Sequence, residues 1–112
     1  MPTKDADAEA LVEHILKAAP KSAKVVFEND VVRVIVTTMR KGQKVPMHSH
    51  CKGLSYALNG GKIRITTEQG KSIVFNIKKG EVGWSDAGGK GETHAVENLG
   101  GVLRELSVEF KG

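Results

Sequence analysis

The chain has 112 residues, with 17 Lys and Arg against 13 Asp and Glu, for a formal charge of +4. That length suits one domain with a core that needs no covalent staples, and the single cysteine, Cys51, excludes an intrachain disulfide. The basic residues are scattered and the aromatics few, which argues against a nucleic-acid surface, and no apolar run approaches the ~20 residues of a membrane span.

The opening MPTKDADAEA lacks the basic start and apolar stretch of a secretory signal; with the lone cysteine, this places the protein in the cytoplasm by expectation. Residues 5–19 are predicted as a short N-terminal helix. Ala8, Leu11, Val12, Ile15, Leu16 and Ala19 fall on one stripe. Asp5 or Asp7 caps its start, Lys17 suits the last turn and Pro20 ends it. His14 is expected as an exposed helix residue.

From residue 24 the period changes. KVVFEN, VVRVIVTTM, LSYALN, KIRITTE, SIVFNIK, EVGWSD, HAVEN and LRELSVEF are short runs rich in β-branched residues, bounded by Gly, Asn or Asp. Ile63 and Ile65 alternate with Arg64 and Thr66. Ile73, Phe75 and Ile77 alternate with Val74, Asn76 and Lys78. Leu106, Val108 and Phe110 alternate with Ser107 and Glu109. Period two predicts one buried and one wet face in each. Asn59-Gly60-Gly61 and Glu68-Gln69-Gly70-Lys71 read as hairpin turns, with Asn29-Asp30 a further turn. Eight or nine strands at regular spacing predict an all-β sandwich or barrel over about residues 24–110, in one domain spanning 1–112. No second helix follows, so βαβ units are not expected.

His48 and His50 stand two apart, which on a strand points both imidazoles to one face. Two neutral imidazoles at a strand end make half a site for a divalent transition metal: Fe, Ni, Mn, Cu or Zn. The pair sits in Gly42-x5-His48-x-His50, followed by Tyr56-x-Leu58-x-Gly60; a third histidine follows in Gly91-x2-His94-x3-Asn98. No GxGxxG, P-loop or GxSxG motif is present, and no residue carries a clear nucleophile or general-base signature, so catalytic residues stay unassigned.

This two-part arrangement resembles the cupin superfamily. Its first motif runs Gly-x5-His-x-His, then three or four residues to Glu, and on to Gly; its second ends Gly-x2-His-x3-Asn. The resemblance covers about residues 30–110 and extends to small single-domain bacterial cupins, including those linked to β-alanine degradation. It implies a double-stranded β-helix, the jelly-roll barrel, with His48, His50 and His94 holding one divalent metal. The family's glutamate is absent. Counting forward from His50 puts Leu54 in its place, and counting back from Gly60 puts Gly53 there. If Gly53 marks the inward parity, Ser55 and Ala57 line the pocket and Tyr56 packs outside; if Leu54 does, Tyr56 points in. Glu92, Tyr56 or water are the candidates to complete the metal site. Cys51, next to His50, is expected to point away as a structural thiol, and Trp84 to pack in the core or at a dimer contact. The segment 86–91 reads as a flap at the barrel mouth.

A three-histidine site with an open position resembles the iron sites of thiol dioxygenases. It implies a metal-dependent, dioxygenase-like enzyme acting on a small organic molecule. The alternative is a non-catalytic binding or sensing module for a small-molecule ligand. A homodimer is expected, from the resemblance and from apolar strands taken as sheet edges, Val31–Val36 and Val102–Leu106.

Overall fold

A computed structural model describes residues 14–49, 51–85 and 93–111. The expected caps Asp5 and Asp7, the ligand candidates His50 and Glu92, and the 86–91 segment lie outside the described residues.

Of the expected helix, the described part is α1 (Ile15–Ala18), one turn with His14 as its N-cap and Ile15 buried. Pro20 follows and stops it. Nine strands come next: β1 (Ala23–Glu28), β2 (Val32–Met39), β3 (Lys44–His48), β4 (Gly53–Asn59), β5 (Gly61–Thr67), β6 (Ser72–Ile77), β7 (Val82–Ser85), β8 (His94–Gly100) and β9 (Leu103–Phe110). They form two antiparallel sheets, ordered β1-β2-β9-β4-β7 and β3-β8-β5-β6. One buried cluster joins both sheets: Ile35, Met39 and Leu103 come from the first, Val45 and Ile63 from the second, and Ile15 from α1. Burying each such side chain contributes about 1.5–3 kcal/mol. Among the described residues, no helix is long and apolar enough to cross a membrane.

The turn at 68–71 is the expected hairpin, joining the paired β5 and β6, with Gly70 at a φ of 85°. The turn at Asn29 is also a hairpin: Oδ1 accepts the N–H groups of Val31 and Val32 at 2.8 and 2.9 Å. Asn59-Gly60-Gly61 is different. It carries the chain from β4 in one sheet to β5 in the other, so it is a sheet-to-sheet crossing rather than a hairpin.

Two further expectations are corrected. The strands taken as edges, β2 and β9, are interior strands; the edges are β1 and β7 in one sheet, β3 and β6 in the other. The parity of β9 is also inverted. Leu103, Glu105, Ser107 and Glu109 face the barrel interior, where the last is only 3% exposed, while Leu106, Val108 and Phe110 face out. That interior is a cavity of about 360 Å³ with polar groups on its wall.

The outer face of the five-stranded sheet is correspondingly apolar. Phe27, Val34, Val108, Leu54 and Trp84 form a row of register partners across β1, β2, β9, β4 and β7. Val36, Leu106, Tyr56 and Val82 form a second row beside it. Phe27, Leu54, Tyr56, Val82 and Trp84 are all exposed.

Candidate metal and ligand site

The site begins with a local irregularity. Pro46 has no N–H to give a ladder, which suits an edge strand or a bulge; β3 is an edge, and its register slips between Val45 and His48. The Pro46 carbonyl accepts a hydrogen bond from His48 Nδ1 at 2.8 Å. In the neutral ring this makes Nε2 the lone-pair nitrogen. Burial drives His48 down to about 4, with His94 and His14 adding to the effect against the bond from Pro46. The ring, 1% exposed, is therefore neutral at ordinary pH, as a metal ligand must be.

His94 opens β8 directly across from His48. The two rings meet edge-on, with centroids 4.8 Å apart, and both residues line the cavity. Two of the three expected ligands thus share one wall, brought together from strands 46 residues apart in sequence. The donor chemistry fits a divalent transition metal.

The strand register decides the reading around positions 53–58. Gly53, Ser55 and Ala57 take the inward parity, Gly53 and Ala57 being buried, while Leu54 and Tyr56 are exposed on the outer face. Tyr56 is not on the cavity wall and cannot complete the site from there. Gly53 is required by packing: a Cβ there would collide with the Val108 carbonyl oxygen on β9. Trp84 is likewise not in the core. It is 53% exposed, tilted against Phe110 at 6.2 Å. Asn98, the motif asparagine, is fully buried. Its Nδ2 donates to the carbonyls of Met39 and Gly101 at 2.7 and 3.0 Å, and its Oδ1 accepts the Gly100 N–H at 2.8 Å. It ties the β8–β9 turn to β2 and has a structural role.

His14 contradicts its expectation as an exposed helix residue. Its Nδ1 accepts the Leu16 N–H at 3.2 Å as the helix cap, and its Nε2 donates to Glu109 Oε2 at 2.8 Å. Burial opposes a charged ring there, but bonds to Cys51 and Glu109 outweigh it and hold His14 up to about 9. Protonating Nδ1 forfeits the cap bond. Glu109 is held down to about 2: burial works against it, and His14 and Arg33 prevail. Arg33 donates to its Oε1 from Nη2 and Nε at 2.9 and 3.2 Å. Cys51 is half-buried on the cavity wall beside this pair rather than turned away.

On β9, burial and the nearby Glu81 push the Glu105 carboxyl up, and this residue lines the cavity. The alternation of Ser107 and Glu109 with Leu106, Val108 and Phe110 points Glu109 to the wet face, and Glu105 carries no motif of its own, so sequence alone singles out neither acid. The one available signal was their shared parity with Leu103.

Neither a family model nor a curated protein matches the sequence. Solved structures do. A cupin domain from Bordetella pertussis Tohama I superposes with a TM-score of 0.70 at 20% identity, over 80% of this chain and 92% of that one. A cupin family protein with a double-stranded β-helix fold, from Methanocaldococcus jannaschii, gives 0.61 at 14% identity, over 79% and 77%. The chain has the cupin fold. A third similar structure, from Thermotoga maritima, is described as a predicted oxalate decarboxylase and gives a TM-score of 0.54 at 26% identity, over 77% and 76%. In this cupin barrel the inward β4 residue nearest the start of that strand is Gly53, on the same cavity as the histidines. The acids on the wall are Glu105 and Glu109 of β9 and Glu81, just before β7.

Proposed function

We propose that this cupin is a metal-dependent enzyme, dioxygenase-like, acting on a small organic molecule, with His48, His50 and His94 as the metal ligands. The observation that carries this reading is the cross-strand apposition of His48 and His94 on the cavity wall, with His48 kept neutral and its tautomer set by Pro46. A divalent metal held by these imidazoles supplies Lewis-acid and, for iron, one-electron chemistry. The chain's own residues do the rest. A cavity of about 360 Å³ sits near the lower end of the range for small-molecule pockets. Gly53 and Ser55 leave one wall low, and Ile63, Ile65 and Phe75 make another apolar. Glu105, neutral when protonated, can donate a hydrogen bond to a substrate carboxylate or pass a proton to it.

The test is metal analysis of untagged protein after anaerobic iron loading, beside His94→Ala. Near-stoichiometric iron in wild type and its loss in the variant are expected. Equal, sub-stoichiometric iron in both would remove the metal reading. Oxygen uptake with a panel of small thiols, β-amino acids and dicarboxylates then separates enzyme from sensor. Ligand binding without uptake across the panel favours the sensing alternative, whose support is the lack of a carboxylate on β4 beside the histidines.

We also propose a homodimer, built on the outer face of the five-stranded sheet rather than on strand edges. Two adjacent apolar rows crossing that sheet are what a self-complementary interface of about 800 Å² per partner requires.

A further inference from the structure

His14, Cys51 and Glu109 form a cluster that the histidine site does not use. Each offers one ligand atom, and the three atoms lie within 4.8 Å of one another. They come from three places: the cap of α1, the loop before β4, and β9. The parallel bridge between His14 and Ser49 brings the cap to the end of β3. A His14–Glu109–Arg33 ion network accounts for the buried carboxylate by itself. It does not account for the chain's one thiol in the same cluster, nor for the cluster's opening, through Cys51 and Glu109, onto the cavity.

We propose that these three residues form a second cation site, separate from the histidines, for a thiolate-preferring divalent ion such as zinc. The donor set is one sulfur, one imidazole nitrogen and one carboxylate oxygen, which zinc favours over the all-oxygen ions. With bonds of roughly 2.0–2.3 Å, tetrahedral ligands sit about 3.4–3.6 Å apart. The present Nε2–Oε2 contact of 2.8 Å therefore opens by a fraction of an ångström as the ion enters. Arg33 already holds Oε1, which orients the carboxylate and leaves Oε2 for the ion. Gly53, the register partner of Glu109, has no side chain to cover it. Three protein ligands leave a fourth position toward the cavity. Binding takes the proton from the Cys51 sulfur and from His14 Nε2 and releases both to solvent. The imidazolium gives up its Nε2 proton and keeps the one on Nδ1, so the metal-bound ring is neutral and excludes the cap bond that a lone pair on Nδ1 accepts from the Leu16 N–H.

The experiment uses cobalt(II) as the probe and does not depend on the histidine reading. Titrating wild type, His94→Ala and Cys51→Ser, a thiolate-to-cobalt charge-transfer band in the near ultraviolet is expected in the first two, saturating at one equivalent for that band, and absent from the third. No band in wild type overturns the proposal. A band lost in His94→Ala overturns the separateness of the site. Should Cys51→Ser fail to fold, alkylation decides. Cys51 is the only thiol, so iodoacetamide labelling reports on it alone. Zinc should slow that labelling by about tenfold or more in His94→Ala, and a chelator should restore it. Labelling unchanged by saturating zinc overturns the proposal.

Discussion

Glu109 holds two cations at once, Arg33 through one oxygen and His14 through the other. Replacing it by Gln keeps the shape and removes the charge both partners face, so Glu109→Gln should cost about 3 kcal/mol in urea unfolding. The pH dependence has a definite sign. Glu109 titrates near 2 in the fold against an ordinary 4.5, so its contribution is complete above about 4.5 and lost as pH falls toward 2. His14 titrates near 9 against 6.5, so its contribution is complete below about 6.5 and lost as pH rises through 9. The two shifts describe one pair. In chelator-treated protein, the stability gap between wild type and His14→Gln should be widest near pH 5.5 and shrink markedly by about pH 9.5. A gap that grows with pH would show that His14 acts as a neutral residue. The pair was invisible in sequence because its members lie 95 residues apart, and nothing local in either segment marks them as partners.

At the scale of strands, two glycines make a sharp comparison. A Cβ on Gly53 meets the backbone carbonyl of Val108, which cannot move without parting the strands. A Cβ on Gly83 meets only the Ser55 hydroxyl at 2.7 Å, and that side chain can rotate away. Gly53→Ala should cost about 3 kcal/mol, and Gly83→Ala less than about 1 kcal/mol, by thermal or urea unfolding. Strand positions were legible because β-branched runs with turn residues between them are a local signal; the runs in 24–29, 31–39, 62–68, 72–78 and 103–110 sit within a residue or two of β1, β2, β5, β6 and β9. The direction in which β9 faces was not legible. Period two gives two faces without saying which is inside, and the rule that apolar means inward fails for β9, whose inward face carries Glu105, Ser107 and Glu109 onto the cavity. Residues 53–58 were ambiguous because the two flanking motifs give counts that differ by one; the count back from Gly60, which gives Gly53, is the one the structure bears out, and pairing with β9 decides it. His48 and His94, by contrast, were legible, because a shared chemistry marks them wherever the chain puts them.

For the whole molecule, the outward turn of Leu106 and Val108 leaves a five-strand apolar surface that a second copy would cover. Leu54→Glu places a charge within its longest row, between Val108 and Trp84. Light scattering at micromolar concentration should give a dimer for wild type and a monomer for the variant, with unchanged far-ultraviolet circular dichroism. A wild-type monomer would rule the interface out. The bond from His14 to Glu109 has a different consequence. It closes a loop of almost the whole described chain, and such closures follow the formation of the sheets they join. The cluster is therefore assembled late along the folding path. Removing its carboxylate should hasten unfolding by nearly the full stability loss while leaving the refolding rate almost unchanged, so the lifetime of the native barrel, more than the speed of reaching it, rests on the point where His14 meets Glu109.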